Sequence, residues 1–227
     1  MPLLIAPILC RRAWRSVQLL AVATIAALAA PAAPAAAQSW GLIIGRSQSG
    51  VWTTFDNCGG AGTICGEGPH YGGSGMPFGL FMQRPVSRLF TFEPELLYSP
   101  KGSGEGSTPV INLRYIEVPL LIRITPPRSD STFTRPYAAV GPGLGYLVNC
   151  ELTENGSLGS SCSANNGEQR KSVEVSGTFA VGFEHRFADG PTLGVEFRYT
   201  RSLMSTGTTA GASTINYVTM FLLRWAP

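Results

Sequence analysis

Along most of its length the chain alternates apolar and polar residues with a period of two, and clusters of Gly, Ser, Pro and Asn interrupt the alternation. The clearest run sets Ile116, Val118, Leu120, Ile122 and Ile124 against Tyr115, Glu117, Pro119, Leu121 and Arg123. Successive side chains of a strand point to opposite faces, so this spacing predicts a strand with one apolar side rather than a helix. A second run sets Val173, Val175, Phe179, Val181, Phe183 and Phe187 against Glu174, Ser176, Thr178, Glu184 and Arg186. A third sets Leu193, Val195, Phe197 and Tyr199 against Thr192, Gly194, Glu196 and Arg198, and the last sets Ile215, Tyr217, Phe221, Leu223 and Trp225 against Asn216, Met220 and Arg224. Four weaker runs, at 40–49, 76–83, 89–98 and 136–148, bring the expected strands to eight. In the third of these, Phe90, Phe92, Leu96 and Tyr98 oppose Thr91, Glu93 and Glu95; in the fourth, Val140, Leu144, Tyr146 and Val148 oppose Gly141, Gly143 and Gly145.

The connections add a second pattern. In chain order they are long (50–74), short (84–88), long (99–109), medium (126–135), long (149–171), short (188–191) and long (203–213). An even number of strands with long and short connections in alternation predicts an eight-stranded antiparallel up-and-down transmembrane β-barrel, short turns on the periplasmic side and long loops outside. No segment after the N-terminal region holds 18 consecutive apolar residues, so no transmembrane helix is expected. A soluble barrel around a ligand shows the same alternation with the faces reversed. Three features favour the membrane. The polar faces mix Glu and Arg with many glycines, as suits a narrow interior. Tyr98, Tyr146, Tyr199, Tyr217 and Trp225 fall near strand ends, where interfacial aromatic girdles belong. The final strand ends in Phe221, Leu223 and Trp225, a pattern that barrel-insertion machinery prefers. Pro94, Pro119 and Pro142 each remove a ladder donor, so bulges or local strand widening are expected there.

The N-terminal region is of another kind. Arg11, Arg12 and Arg15 precede an apolar stretch from Val17 to Ala30, and Pro34-Ala35-Ala36-Ala37-Gln38 supplies small residues for cleavage. That stretch is about 14 residues, short of the roughly 20 that span a bilayer as a helix. Residues 1–37 are therefore expected to be a cleavable signal peptide for the general secretory pathway, and 38–227 one outer-membrane barrel domain. The leader also changes the charge. The chain has 17 Lys+Arg and 14 Asp+Glu; with three arginines in the leader, the mature part is balanced at 14 each. No cluster of Lys and Arg suggests a nucleic-acid surface. Lys101 and Lys171 are the two lysines, and both are expected in polar loops. Cys10 leaves with the leader. Cys58, Cys65, Cys150 and Cys162 remain, and an even number in an exported chain favours disulfides. Each pair shares one long loop, so Cys58–Cys65 and Cys150–Cys162 are the expected bridges; the spacings do not match zinc ligand pairs.

The chemistry-bearing residues concentrate on the polar faces. Glu93, Glu95, Glu117, Glu174, Glu184 and Glu196 face Arg123, Arg186, Arg198 and Arg224 in the expected interior. Glu93 and Glu95 on one strand face invite a general acid/base reading. Ion pairing across a narrow lumen is the stronger one, because buried charges are costly unless paired. His70 and His185 are the only histidines; one falls in the glycine-rich first loop and the other on the apolar parity near a turn, so neither suggests a catalytic set. The run Gly141-Pro142-Gly143-Leu144-Gly145 superficially resembles a phosphate loop, but it lies in a strand with no helix and lysine after it; its glycines are expected to make room in the lumen. No cofactor or metal is expected.

At these strands the chain resembles the PorT-like outer-membrane β-barrel family. The likeness is carried by Glu93-Pro94-Glu95-Leu96-Leu97-Tyr98-Ser99-Pro100-Lys101-Gly102 and Leu113-Arg114-Tyr115-Ile116-Glu117-Val118-Pro119-Leu120-Leu121. Pro136-Tyr137-Ala138-Ala139-Val140-Gly141-Pro142-Gly143 and Gly194-Val195-Glu196-Phe197-Arg198-Tyr199 continue it. Tyr115, Glu117 and Pro119 are its most specific part, and the cysteine-bearing loops depart from it. The resemblance implies an eight-stranded barrel in the bacterial outer membrane and no particular activity. The expectation is a non-enzymatic integral barrel, in contact with outer-membrane lipid and placed by the insertion machinery, with a structural or surface-interaction role through its long loops and an unspecified partner. A narrow channel for water or small ions is the alternative, and a soluble periplasmic ligand-binding barrel a further one.

Overall fold

The structure, a computed structural model, describes residues 38–55, 70–102, 110–126, 134–153, 160–161, 171–187, 190–206 and 212–227. The expected leader, with Cys58, Cys65 and Cys162, lies outside the described residues. The strands are β1 (Ser39–Phe55), β2 (His70–Gly75), β3 (Phe78–Pro85), β4 (Phe90–Gly102), β5 (Val110–Ile124), β6 (Thr134–Thr153), β7 (Ser160–Ser161), β8 (Val173–Arg186), β9 (Thr192–Ser202) and β10 (Ala212–Ala226). Every pairing is antiparallel, and β10 returns to pair with β1 from Leu42↔Trp225 to Phe55↔Ala212, which closes the wall. β2 and β3 lie on β1 in one continuous register, Ser47↔Gly75 and Ile44↔Phe78, and so are two halves of one stave interrupted at Met76 and Pro77. Gly45 N bridges the interruption by donating to Pro77 O at 3.0 Å. β7 is a short addition to the far end of β6. The barrel thus has eight staves, as the alternation predicts.

The faces are assigned without ambiguity. Ile122 and Val195 are 40% and 41% exposed, and Leu42, Ile44, Leu80, Phe183, Phe197, Phe221 and Leu223 stand outward with them. Glu93, Glu95, Glu196, Arg198 and Arg224 are buried inside. A soluble protein rarely shows a contiguous apolar patch beyond a few hundred Å². Here such residues line the outside of all eight staves, so the surrounding solvent is hydrocarbon and the ligand-binding barrel with an apolar interior is excluded. Closure follows from the same solvent: with no water to take up backbone N–H and C=O groups, every stave must find a neighbour on both sides. Trp40 packs edge-on against Trp225 at 6.5 Å, and Phe183 and Phe187 also lie toward the short-turn end, while Tyr98, Tyr146, Tyr199 and Tyr217 lie toward the long-loop end. At the first short turn the Ser87 hydroxyl accepts from Leu89 N and Phe90 N at 3.2 and 3.1 Å.

Two expectations are corrected and a third is narrowed. The strands run past their predicted ends: 50–55, 99–102 and 149–153 are strand, although they were expected in loops. Beyond the lipid both faces meet water, so the ladder continues there without the two-residue hydrophobic signal. Of the bulges or local widening expected at the prolines, the ladders show the widening. The pairing skips two rungs next to Pro94, Pro119 and Pro142 in successive ladders, between Phe81↔Glu95 and Arg84↔Phe92, Pro94↔Leu120 and Leu97↔Glu117, and Pro119↔Gly143 and Ile122↔Val140. Register then resumes unchanged, because a missing N–H removes a bond without adding a residue. The bulges lie elsewhere, at Ser49/Gly50 and Arg114/Tyr115. The extra residue of the first is Gly72, at φ 127, a left-handed conformation that glycine adopts without penalty. Lys101, finally, is not in a loop but near the end of β4, and its side chain is buried.

Candidate functional site

The lumen holds two charged clusters. The larger lies toward the short-turn end and is built by the inward positions of seven staves. Glu95 of β4 and Arg198 of β9 form a two-pronged pair, with Nη1–Oε2 at 2.5 Å and Nη2–Oε1 at 2.8 Å, both side chains 0% exposed. Arg198 Nε also donates to Glu196 Oε1 at 2.7 Å. Arg224 of β10 bridges three carboxylates: Nη1 reaches Glu95 Oε1 at 3.1 Å and Glu196 Oε2 at 2.8 Å, and Nη2 lies 2.9 Å from Glu93 Oε1. Arg123 of β5 donates to Glu93 Oε2 at 3.2 Å and to Glu184, which Arg135 reaches at 2.7 Å. Gln83 Nε2 and Tyr137 OH complete the set, donating to Glu93 Oε2 and Glu196 Oε2 at 2.7 Å each. Aromatic rings lie against the cations, with the guanidinium carbon of Arg123 3.4 Å from the centre of the Tyr137 ring and that of Arg224 4.0 Å from the centre of the Phe81 ring. A Cβ at Gly182 would fall 2.7 Å from the Tyr137 ring, so a glycine here makes the space that the ring fills.

The smaller cluster lies toward the loops. Lys101 Nζ sits 2.5 Å from Glu117 Oε1 and 2.6 Å from Glu174 Oε1, and 4.8 Å from the centre of the Tyr115 ring. Asn216 Nδ2 donates to Glu174 Oε2 at 2.7 Å and to Tyr115 OH at 3.4 Å. Between the clusters the staves turn neutral: Leu97 on β4, Thr178 on β8, Thr200 on β9, and Val218 and Met220 on β10 all face inward. Thr178 and Thr200 share a hydrogen bond of 3.1 Å.

Nine of the ten charged residues expected in the interior are brought into these clusters: Glu93, Glu95, Glu184, Glu196, Arg123, Arg198 and Arg224 in one, Glu117 and Glu174 in the other. Arg186 is the exception and is corrected: two residues past Glu184 and paired with Thr192 at the last rung of its hairpin, it emerges at the mouth and is exposed. Sequence reasoning missed Lys101, Arg135, Tyr137 and Gln83, and put Tyr115 and Asn216 on the polar side without assigning them to a cluster. Lys101 shares parity with Glu93 and Glu95 across Leu97 and Ser99, a signal that extending the alternation past Tyr98 exposes. Of the interior apolar group Ile43, Phe81, Leu97, Val218, Met220 and Leu222, the alternation names only Met220 on the inner side; on β1 and β3 both faces are apolar and the parity gives no contrast.

These carboxylates are engaged, not poised. Each of Glu93, Glu95 and Glu196 meets at least two cations or donors, and among the described residues Glu93 Oε1 is held through the ion contact to Arg224 alone. His185 stands on the outer side, its Nδ1 2.7 Å from Thr134 Oγ1 and its ring edge-on to Phe187 at 4.7 Å. The side chain of His70 lies outside the described residues. Cys150 is at the far end of β6 and is not free; Cys58, Cys65 and Cys162 lie outside the described residues.

Residues 20–221 match the model of a family described as the outer membrane protein beta-barrel domain. The match shows an outer-membrane β-barrel family and not the PorT-like group specifically. No curated protein matches the sequence significantly. Among solved structures the chain is similar to the outer membrane protein OprG from Pseudomonas aeruginosa, with 12% identity and a TM-score of 0.47 over 84% of this chain and 96% of that one. It is similar to the attachment invasion locus protein Ail of Yersinia pestis, with 12% identity and a TM-score of 0.40 over 83% and 99%. Neisserial surface protein A is a further likeness, with 10% identity and a TM-score of 0.43 over 81% and 95%.

Proposed function

The chain belongs to the outer membrane protein β-barrel domain family, and from that premise we propose that it is a non-enzymatic integral protein of the bacterial outer membrane that acts through its long external loops, in envelope structure or in contact with a surface partner. The observation that carries this is the plugged lumen: Arg198, Glu95, Glu93 and Glu196 fill the interior with fully buried, mutually paired side chains. An interior so occupied is a rigid stem. The extension of β1, β4 and β6 past the apolar band lifts the connections of the loop end clear of the lipid. Export would use residues 1–37 as a cleaved signal peptide on the general secretory route, with the insertion machinery placing the barrel. Within the family, the run through Tyr115, Glu117 and Pro119 supports a likeness to the PorT-like barrels, and Tyr115 and Glu117 both face the Lys101 cluster.

A second reading, a narrow channel for water or small ions, draws on the inward hydroxyls of Ser176, Thr178, Thr200 and Ser202, which join the two charged clusters along β8 and β9. Planar bilayers separate the two. Folded protein, verified by a change of gel mobility on heating, should give no steady conductance; reproducible ohmic steps that disappear on denaturation would replace the stem by the channel.

The loops themselves we propose to be stiffened by Cys58–Cys65 and Cys150–Cys162. Closing rings of this size is worth about 2–3 kcal/mol in the chain-entropy picture, felt by the loop more than by the barrel. Mass spectrometry of unreduced peptides should recover both linked pairs, and a peptide joining Cys58 to Cys150 would refute the connectivity.

A further inference from the structure

We propose that the outward face of β9, β10 and β1 carries a binding site for a phosphorylated glycolipid headgroup of the outer leaflet, formed by Arg46 and Arg201 on either side of Thr219. The inference rests on the outer-membrane placement and adds a ligand to it. The registers lay this face out as a grid. Thr219 stands between Gln48 on β1 and Tyr199 on β9; Arg46 is the partner of Phe221, and Arg201 the partner of Tyr217. Arg46, Thr219 and Arg201 therefore lie on one diagonal across three neighbouring staves. With strands about 5 Å apart and about 3.3 Å per residue, the two arginine backbones are roughly 16 Å apart, a gap that two long side chains can close from opposite sides over Thr219.

The stagger of the barrel makes that diagonal nearly level. Following paired residues from Gln48 through Thr219, Tyr199, Phe179, Val140, Ile122 and Phe92 arrives at Arg84, beside the Ser39 end of β1. A path that goes round the wall in this direction at constant height must therefore climb along the strands toward the loops, and the step from Arg46 to Thr219 to Arg201 does so. Directly below the diagonal the outward residues are Ile44, Phe221, Leu223, Phe197 and Val195, all apolar. The site thus sits on the upper edge of the hydrocarbon band, where headgroups lie.

Two contrasts mark it out. On the opposite wall Ile116, Leu144, Tyr146, Val148 and Val173 are apolar and exposed. The outward cations beyond them are engaged: Arg114 lies 3.9 Å from Glu151, and Lys171 donates to Ser205 O at 2.8 Å. The cationic edge without carboxylate partners therefore belongs to one side of the barrel. Arg46 and Arg201 are exposed and have no acidic partner among the described residues. A guanidinium at the lipid boundary without a carboxylate is complementary to a phosphate, which it can hold through two parallel N–H donors. Gln48 and Thr219 add neutral donors, and Tyr199 and Tyr217 flank the site as interfacial residues do.

The test uses purified full barrel in detergent, offered bis-phosphorylated lipid A, its dephosphorylated form, or phosphatidylcholine, with retained lipid read by native mass spectrometry. Wild type should keep bis-phosphorylated lipid A, and the R46Q/R201Q variant should keep at least tenfold less, with dephosphorylated lipid A retained equally poorly by both. R46K/R201K should fall between them, since it keeps the charge and loses the fork. The heat-dependent gel shift checks that each variant is folded, which these exposed positions should leave intact. Equal retention of bis-phosphorylated lipid A by wild type and R46Q/R201Q would overturn the site. So would wild type retaining the dephosphorylated lipid as well as the phosphorylated one, since the arginines would then be reading no phosphate.

Discussion

Arg198→Met should destabilise the folded barrel by about 3–5 kcal/mol, the cost of removing one partner from a buried ion pair. Arg198 is buried completely and meets Glu95 through two parallel bonds, at 2.5 and 2.8 Å, as no other described residue does. Without it, Glu95 keeps only the 3.1 Å contact to Arg224, while Glu196 keeps Arg224 at 2.8 Å and Tyr137 at 2.7 Å. Glu95 is thus the group left stranded, and the companion change identifies it. Glu95→Gln combined with Arg198→Met removes both charges and should recover a large part of the loss, because a neutral amide does not need a counter-ion in a medium of low dielectric. Urea unfolding in lipid vesicles, followed by tryptophan emission, measures both. A loss below about 1 kcal/mol for the single variant would mean that water reaches the site and that the lumen is open, the range seen for exposed pairs.

The second large effect lies on the other face. Val195→Arg and Ile122→Arg should each cost about 2–4 kcal/mol, the range for arginine near the bilayer midplane on the lipid side of a barrel. Both stand outward in the middle of their staves, flanked by Phe197 and Leu193 in one case and Leu120 and Ile124 in the other. Thr178 is a poor control for arginine, since it is buried against Thr200 and the added volume would obscure the electrostatics. Cysteine is the better probe there. In a background without the native cysteines, a lipid-soluble photoprobe on Ile122→Cys should crosslink acyl chains, and one on Thr178→Cys should not. Crosslinks from the second position alone would reverse the faces.

Much of this could be read from the residues alone, and for a physical reason. A stave between hydrocarbon and a polar lumen must alternate, and alternation is visible in a single sequence. Glu174 next to Val173 and Val175, and Glu196 next to Val195 and Phe197, have one solution if neither solvent is to be mismatched. The number of staves, their order, the inside and the outside, and nine of the interior charges follow from that constraint. It fails where the solvent ceases to differ between faces. Thus β1 and β6 overrun their predicted ends into water, and Arg186, on the correct parity, leaves the lumen at its mouth.

What only the tertiary structure decides is the partner of each group. Parity puts Glu93, Glu95 and Arg198 inside but says nothing of height, and height is set by the stagger with which eight tilted staves close. That stagger brings Arg198 to Glu95 across a separation of 103 residues and Lys101 to Glu174 across 73. It also sets Arg46 level with Arg201, although no local pattern relates them. Single strands are encoded by neighbours two residues apart. The pairing of their side chains is encoded by the closure of the whole wall, and closure is a property that no segment carries alone.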